Sequence, residues 1–395
     1  MASSSPLLAL PAELRLKIYT HILAPGNNAV TNDDDGSKSY AFDHALVLYR
    51  INRQIYQESR KVFRDLNAFV LIRTPWEQTM QYVVHRQQVP VVLSDGEIDK
   101  FHIANMTVTI DAPMYRQEES RASQFVIHLA DLPRFTEQWF YSDLSYTINQ
   151  NLSVELELHD PYTPDYEEKH VSKALQRKLL LPFGQVKRLS SSVIKGELRP
   201  FSSVTKELRD LQSAPLKSPD QCLREAEKAK LDGMAEMQAG HYQAALEQYK
   251  KAWLAMHIIV EGRTRQVYGD HYFGQILRED PYRGKNGQGV RMLLRVELVA
   301  CTCLVYLKLK EYDECKFWGE RSINMLRENI GMGEDDERQP EDEVMPSFPQ
   351  FGRVYDHTAE ACKALGERES EKLYLVVREY FPAERDRIDK AIAEC

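Results

Sequence analysis

Nowhere in its 395 residues does the chain carry the roughly 20 consecutive apolar residues that cross a bilayer. Its greasiest stretch, 292–309, is broken by Arg295, Glu297 and Lys308. The opening residues have no basic start, and the apolar run at 7–10 is too short for a secretory signal. We therefore expect no membrane association and a location in the cytosol or nucleus. Cysteine is sparse too: six residues, at 222, 301, 303, 315, 362 and 395, with no C-x-x-C pair and no histidine at matching spacing. That excludes a disulfide framework and a zinc module. Cys301 and Cys303 fall in an apolar helical stretch and read as small core residues.

The signatures of catalysis are missing as well. Residues 284–289 are glycine-rich but do not have the G-x-x-x-x-G-K-[ST] spacing or a strand before them, and read as a flexible loop. There is no G-x-S-x-G elbow and no H-E-x-x-H pair, and the eleven histidines are dispersed. An enzyme, a cofactor and a bound metal are therefore not expected. A basic excess is absent: 51 Lys and Arg face 59 Asp and Glu, a formal charge of −8, which argues against general nucleic-acid affinity. The basic residues within 169–199 have no interleaved aromatics and read as a solvated face; the acidic run 333–343 reads as a solvated loop. Hydrophobic residues at 43% and charged residues at 28% describe a globular chain of two or three domains.

What is present begins at the amino end. Pro11 suits the first turn of a helix, and Leu14, Ile18 and Ile22 recur four apart with Tyr19 and Leu23 beside them. Leu7, Leu8 and Leu10 precede that helix and need a cover, from their own core or from a partner. Residues 24–39 hold Pro25, Gly26 and three consecutive aspartates and predict a loop; deleting 27–39 is expected to remove little core. Helical period resumes over 45–66, with Leu48, Ile51, Ile55, Val62 and Leu66 able to share a face, and 67–72 reads as a short strand.

The pattern Leu8, Leu10, Pro11, Glu13, Leu14, Ile18, Leu23 resembles the opening of an F-box. The later run Arg50, Arg53, Gln54, Ile55, Tyr56, Glu58, Ser59, followed by Asn67, Phe69 and Val70, resembles the F-box-like domain of filamentous fungi. A standard F-box is more compact and has a Trp in its last third, whereas this chain has the polar insertion. The resemblance implies that the Leu-Pro segment and first helix dock on a Skp-type adaptor of a cullin–RING ubiquitin ligase, through Leu8, Leu10, Pro11, Leu14, Ile18 and Leu23.

The middle of the chain alternates. A short helix is expected over 76–85, strands over 106–111, 125–129, 152–158 and from 186 towards 194, and helix-like pieces over 132–141 and 167–181. This predicts a small, partly parallel α/β layer. The segment 179–189 is similar to what fungal F-box-like proteins carry at this place, without a regular leucine-rich period. Three prolines and several serines over 199–219 read as a linker or a helix-flanked turn.

From about residue 226 helical pairs take over. Gly233, Gly240, Tyr242, Ala245, Tyr249 and Ala252 match a tetratricopeptide repeat in order, although Ala229 stands where a large residue is usual. Small Gly233 and Ala245 would let two helices approach, Gly240 would permit the turn, and the tyrosines would fill the space towards the next pair. A second unit falls on Tyr312 and Cys315, and a weaker third has Gly366 in the place of Gly240. The first two units stand about 70 residues apart rather than the roughly 34 of a tandem array, the excess lying in loops over 268–289 and 331–350. A plain bundle of helical hairpins is the alternative.

The expected fold class is α+β and multidomain: a small helical F-box-like module over 1–75, an irregular α/β middle layer over 76–199, a linker over 200–219, and TPR-like α-helical repeats over 220–395. Two functions are carried forward. One is a non-catalytic substrate-recruiting adaptor of an SCF-type ubiquitin ligase, a monomer within a complex that holds a Skp-type protein at one end and an unknown target at the other. The other is an interaction scaffold whose F-box-like fold is structural. Exposure of Leu8, Leu10, Pro11 and Ile18 separates them.

Overall fold

A computed structural model describes residues 7–33, 36–115, 122–329, 341, 344–345 and 348–395. The chain divides into two compact units, Met1–Pro215 and Leu216–Cys395.

The first unit is built on a six-stranded mixed sheet. Its elements in chain order are α1 (Ala12–Leu23), β1 (Ala29–Thr31), β2 (Lys38–Tyr40), α2 (Arg53–Leu66), β3 (Phe69–Thr74), α3 (Thr79–Gln81), β4 (Leu93–Ser94), β5 (Met106–Asp111), β6 (Ser123–His128), α4 (Leu132–Tyr146), β7 (Ser153–Leu158), α5 (Lys173–Leu180), β8 (Ser191–Lys195) and α6 (Ser202–Ser213). The strand order is β4-β6-β3-β5-β7-β8, parallel at β3/β5 and β7/β8 and antiparallel elsewhere, while β1 and β2 pair as a separate hairpin.

Strand β3 explains why the helices before it do not form a domain of their own. Side chains of a strand alternate between two faces. Phe69 and Leu71 join a core with Tyr19, Leu23, Ile55 and Phe63 of α1 and α2. Val70 and Ile72 join a second core with Phe135 and Trp139 of α4 and Leu179 of α5. The helices of 1–66 thus cover one face of the sheet, and the expected boundary at 75/76 runs through a single compact unit. Asn67 fastens this joint: its Nδ2 donates to Leu23 O and Phe63 O, both at 3.1 Å.

Several local expectations are corrected. Residues 24–39 are not one loop, since they include a 3-10 turn (Pro25–Asn27) and the β1/β2 hairpin. Asn28 is buried, and its Nδ2 donates to Ile22 O and Ala24 O at 2.8 Å each, capping the end of α1; deleting 27–39 would remove that cap. The helical stretch 45–66 is two pieces, a 3-10 helix (Ala45–Arg50) and α2, because Asn52 turns extended and its side chain caps the new helix through Ile55 N at 2.9 Å. The break leaves Ile51 exposed rather than on the buried face. The last strand is β8, later than 186–189, whose preceding residues form a 3-10 turn (Leu181–Gln185). The helix at 167–181 shortens to α5, and that at 76–85 to α3 followed by a π-helical turn (Tyr82–Arg86). The linker is also corrected, because α6 occupies it and buries Val204 and Leu208 in the second core.

The second unit is mainly helical: α7 (Pro219–Gln238), α8 (Tyr242–Ala255), the hairpin β9 (Ile258–Glu261) and β10 (Thr264–Val267), α9 (Asp270–Phe273), α10 (Gly287–Leu309), α11 (Tyr312–Asn329), α12 (Gln350–Ala364), α13 (Glu369–Tyr380) and α14 (Arg385–Ala393). α7/α8, α10/α11 and α12/α13 form three helix pairs, and α10 also touches α7, α8 and α12. Each pair turns in the same way. Gly240, Lys310 and Gly366 take left-handed φ values of 82°, 61° and 76°, and the next residue's N–H reaches back to Glu236 O, Tyr306 O and Cys362 O respectively, at 2.9 Å each. This is the Schellman ending, in which glycine is the usual left-handed residue.

The expected loop over 268–289 follows the β9/β10 hairpin and itself holds α9 and the start of α10, whose first residues come from the glycine-rich run, with Asn286 as cap to Gly289 N. The acidic stretch 333–343, apart from Glu341, and much of the expected loop 331–350 lie outside the described residues. Among the described residues, no helix is long and apolar enough to cross a membrane.

Candidate functional site

The candidate site is the outer edge of α1 and the segment before it. Helix geometry divides α1 cleanly: Arg15, Tyr19 and Leu23, four apart, are buried, which sets Leu14 and Ile18 on one flank and Leu16 on the other. Leu14 is 45% exposed, Leu16 40%, and Pro11 is exposed. Two apolar residues of the 45–51 region, Val47 and Ile51, are also open, at 52% and 51%.

A polar clamp fixes this edge. Arg15 Nε and Nη2 donate to Glu58 Oε2 and Oε1 at 3.0 and 2.7 Å, and its Nη1 donates to Leu10 O at 2.6 Å. Tyr19 OH and Gln54 Nε2 donate to the same carboxylate, at 3.1 and 2.9 Å. The Arg15 guanidinium first, helped by the bonds from Gln54 and Tyr19 and opposed by burial, holds the Glu58 carboxyl far below its ordinary value, at about 2. One arginine thereby joins the Leu10–Pro11 turn to α2.

The six expected docking residues do not share one environment. Leu14 and Pro11 are open, Leu10 and Ile18 half-buried, and Leu8 half-buried against the first core with Leu7. Leu23 is fully buried in that core and leaves the set. Leu16, Val47, Ile51 and the Arg15–Glu58 clamp were not anticipated. The i, i+4 spacing of Arg15 and Tyr19 inside an apolar pattern was the available signal for the clamp. Ile51 had none, because periodicity alone put it on the buried face.

The repeat-packing residues lie in the second unit. Ala245, Tyr249 and Ala252 of α8 are buried, and a Cβ on Gly233 of α7 would stand 3.2 Å from Ala245 O and 2.7 Å from Tyr249 Cδ1. Tyr242 is half-buried against the same core, and Tyr312 opens α11 in a comparable setting. Cys315 is fully buried, its thiol 3.4 Å from His357 O of α12. Gly240 and Gly366 occupy the left-handed turn positions.

Glu320, Cys362 and Glu367 lie close enough together to suggest a metal site, but Lys316 Nζ is already among them, 2.5 Å from Glu367 Oε2 and 3.8 Å from Glu320 Oε1. Burial, with the nearby Glu320 and Glu367 charges, pushes the Cys362 thiol up to about 12, so a thiolate ligand is disfavoured there. Compared with known proteins, the chain matches no family model, no curated protein and no solved structure.

Proposed function

We propose that the chain is a non-catalytic adaptor of a cullin–RING ubiquitin ligase, docking a Skp-type protein through the α1 edge of its F-box-like module and holding a target on its middle and TPR-like regions. The observation that carries this reading is the open apolar edge. Pro11 and Leu14 expose apolar surface, as do Leu16 on the opposite flank of α1 and Val47 and Ile51 after it, while Arg15 and Tyr19 turn inward to Glu58. Apolar surface held open by a rigid polar support is what a protein partner covers. The chain would act by proximity, raising the effective concentration of a target near a ubiquitin-loaded enzyme, with no bond made or broken by its own residues.

A second reading, a scaffold whose helical amino end is structural, is favoured by Leu7 and Leu8 leaning on the chain's own core and by the burial of Leu23. Co-purification of the full chain with a purified Skp-type adaptor decides between them. Retention that depends on Leu10, Pro11 and Leu14 supports the first reading, and no retention supports the second.

A further inference from the structure

Unit one contains a cavity of about 300 Å³ on the sheet face covered by α4. Its buried wall is Val83, Ile110, Phe135, Trp139 and Leu152, and Trp76, Thr79, Tyr82, Tyr146 and Ile148 stand at its more open side. Among the described residues its lining has no charged side chain. The π-helical turn Tyr82–Arg86 contributes Tyr82 and Val83; such wide turns recur at functional sites.

Two polar atoms of the wall are already bonded. Trp139 Nε1 donates to Asn149 Oδ1 at 2.8 Å, and Thr74 Oγ1 donates to Trp76 O at 3.1 Å. One corner is slack. Ser142 Oγ donates to Gln138 O at 2.9 Å, but its contacts from Gln87 Nε2 and with Tyr82 OH are both 3.4 Å, at the long limit for such bonds. A guest with one acceptor atom can take a better bond from Gln87 than Ser142 supplies.

We infer that this cavity is a binding site for a small, neutral, planar and largely apolar molecule bearing a single hydrogen-bonding group. The volume sits at the low end of ligand pockets, roughly 300–1,000 Å³, which limits the guest to at most about three fused rings. Aromatic walls favour a flat guest by offset stacking and edge contacts. A charged guest would lose its hydration with no opposite charge to meet it. Water is a poor occupant beside a buried wall that is apolar.

The test uses the full chain and 1-aminoanthracene, whose emission rises in apolar surroundings. A saturable rise at one equivalent is expected, with energy transfer from Trp76 and Trp139. Neutral 2-naphthol should displace the probe, and 2-naphthoate should do so at least tenfold more weakly. Thr79→Phe and Ile148→Phe, both at half-buried positions, fill the cavity from two sides; whichever keeps the wild-type melting curve should weaken probe binding at least tenfold. Ser142→Ala tests the polar corner, since it should change the affinity for 2-naphthol more than that for naphthalene. Absence of a saturable rise, unchanged binding in a folded filled variant, or equal displacement by 2-naphthoate would each overturn the inference.

Discussion

Arg15 and Glu58, 43 positions apart, meet in a two-pronged ion pair whose third prong is the Leu10 carbonyl. The pair does more than join two helices. Pro11 has no N–H, so the turn before α1 is held from the carbonyl side, and Arg15 supplies that hold from within the helix that the turn begins. The apolar side chains of that turn are thus presented on a fixed backbone, which lowers the ordering cost of any partner that covers them.

The clamp predicts an acid dependence with a definite sign. Glu58 has a carboxyl near 2 in the folded chain against 4.5 ordinarily, so the unfolded chain takes the proton first as the pH falls. Its stabilisation is complete above about pH 5 and drains away as the pH drops through 4.5 towards 2. Glu58→Gln should cost about 1–2 kcal/mol at pH 7 after allowing for solvent screening. Urea melts of both proteins between pH 3 and 7, read by hydrogen exchange over 12–66, should show their gap narrowing in acid. A gap that stays constant would mean that the carboxylate charge contributes nothing.

Docking is tested by substitutions that leave the core alone. Leu14 is 45% exposed, so Leu14→Asp should change stability by no more than about 0.5 kcal/mol. Covering one leucine side chain is worth about 1.5–3 kcal/mol, roughly a ten- to hundredfold change in affinity. Leu14→Asp and the pair Leu10→Ala with Pro11→Ala should each weaken binding to a Skp-type adaptor by that factor, measured by titration calorimetry. Wild-type affinity in both would remove the α1 edge as the docking surface.

How much could be read beforehand depended on whether the signal was local. The α/β content and the helical last third were legible, because the alternation in 153–158 and the helical period of 219–252 are properties of neighbouring residues. The two faces of β3 were not. Phe69-Val-Leu-Ile reads as an apolar run, and only the sheet order shows that its alternate members feed two cores. Ile51 was misplaced for the opposite reason: its periodicity was sound, but Asn52 breaks the helix and takes the cap. The cavity beside Trp139 had no sequence signal, since its lining is drawn from positions 74 to 152.

The turn at Lys310 offers a gain rather than a loss. It adopts the left-handed conformation that Gly240 and Gly366 adopt in the other two pairs, and its side chain is exposed. A lysine there carries a steric penalty that glycine avoids. Lys310→Gly should raise the stability of unit two by about 0.5–1 kcal/mol, seen as a higher urea midpoint. No change would mean that the extra freedom of glycine in the unfolded chain offsets the relief.

The approach of α7 to α8 predicts how damage spreads. Gly233 leaves no room for a Cβ, since Tyr249 is buried and the Ala245 carbonyl stands on the other side. Ala245→Leu forces three more carbons into that contact, and overpacking of this kind costs about 1–3 kcal/mol. Neither helix can shift freely, because both touch α10, and α10 in turn touches α11 and α12. If the pairs share stability with their neighbours as stacked units do, loosening should reach beyond α8. Hydrogen exchange in Ala245→Leu should therefore speed up across α7, α8, α10 and α11. Residues 7–215, with cores of their own, should keep their protection. Faster exchange confined to α7 and α8 would show that the pairs open independently, and protection lost evenly along the chain would show one cooperative core in place of two units.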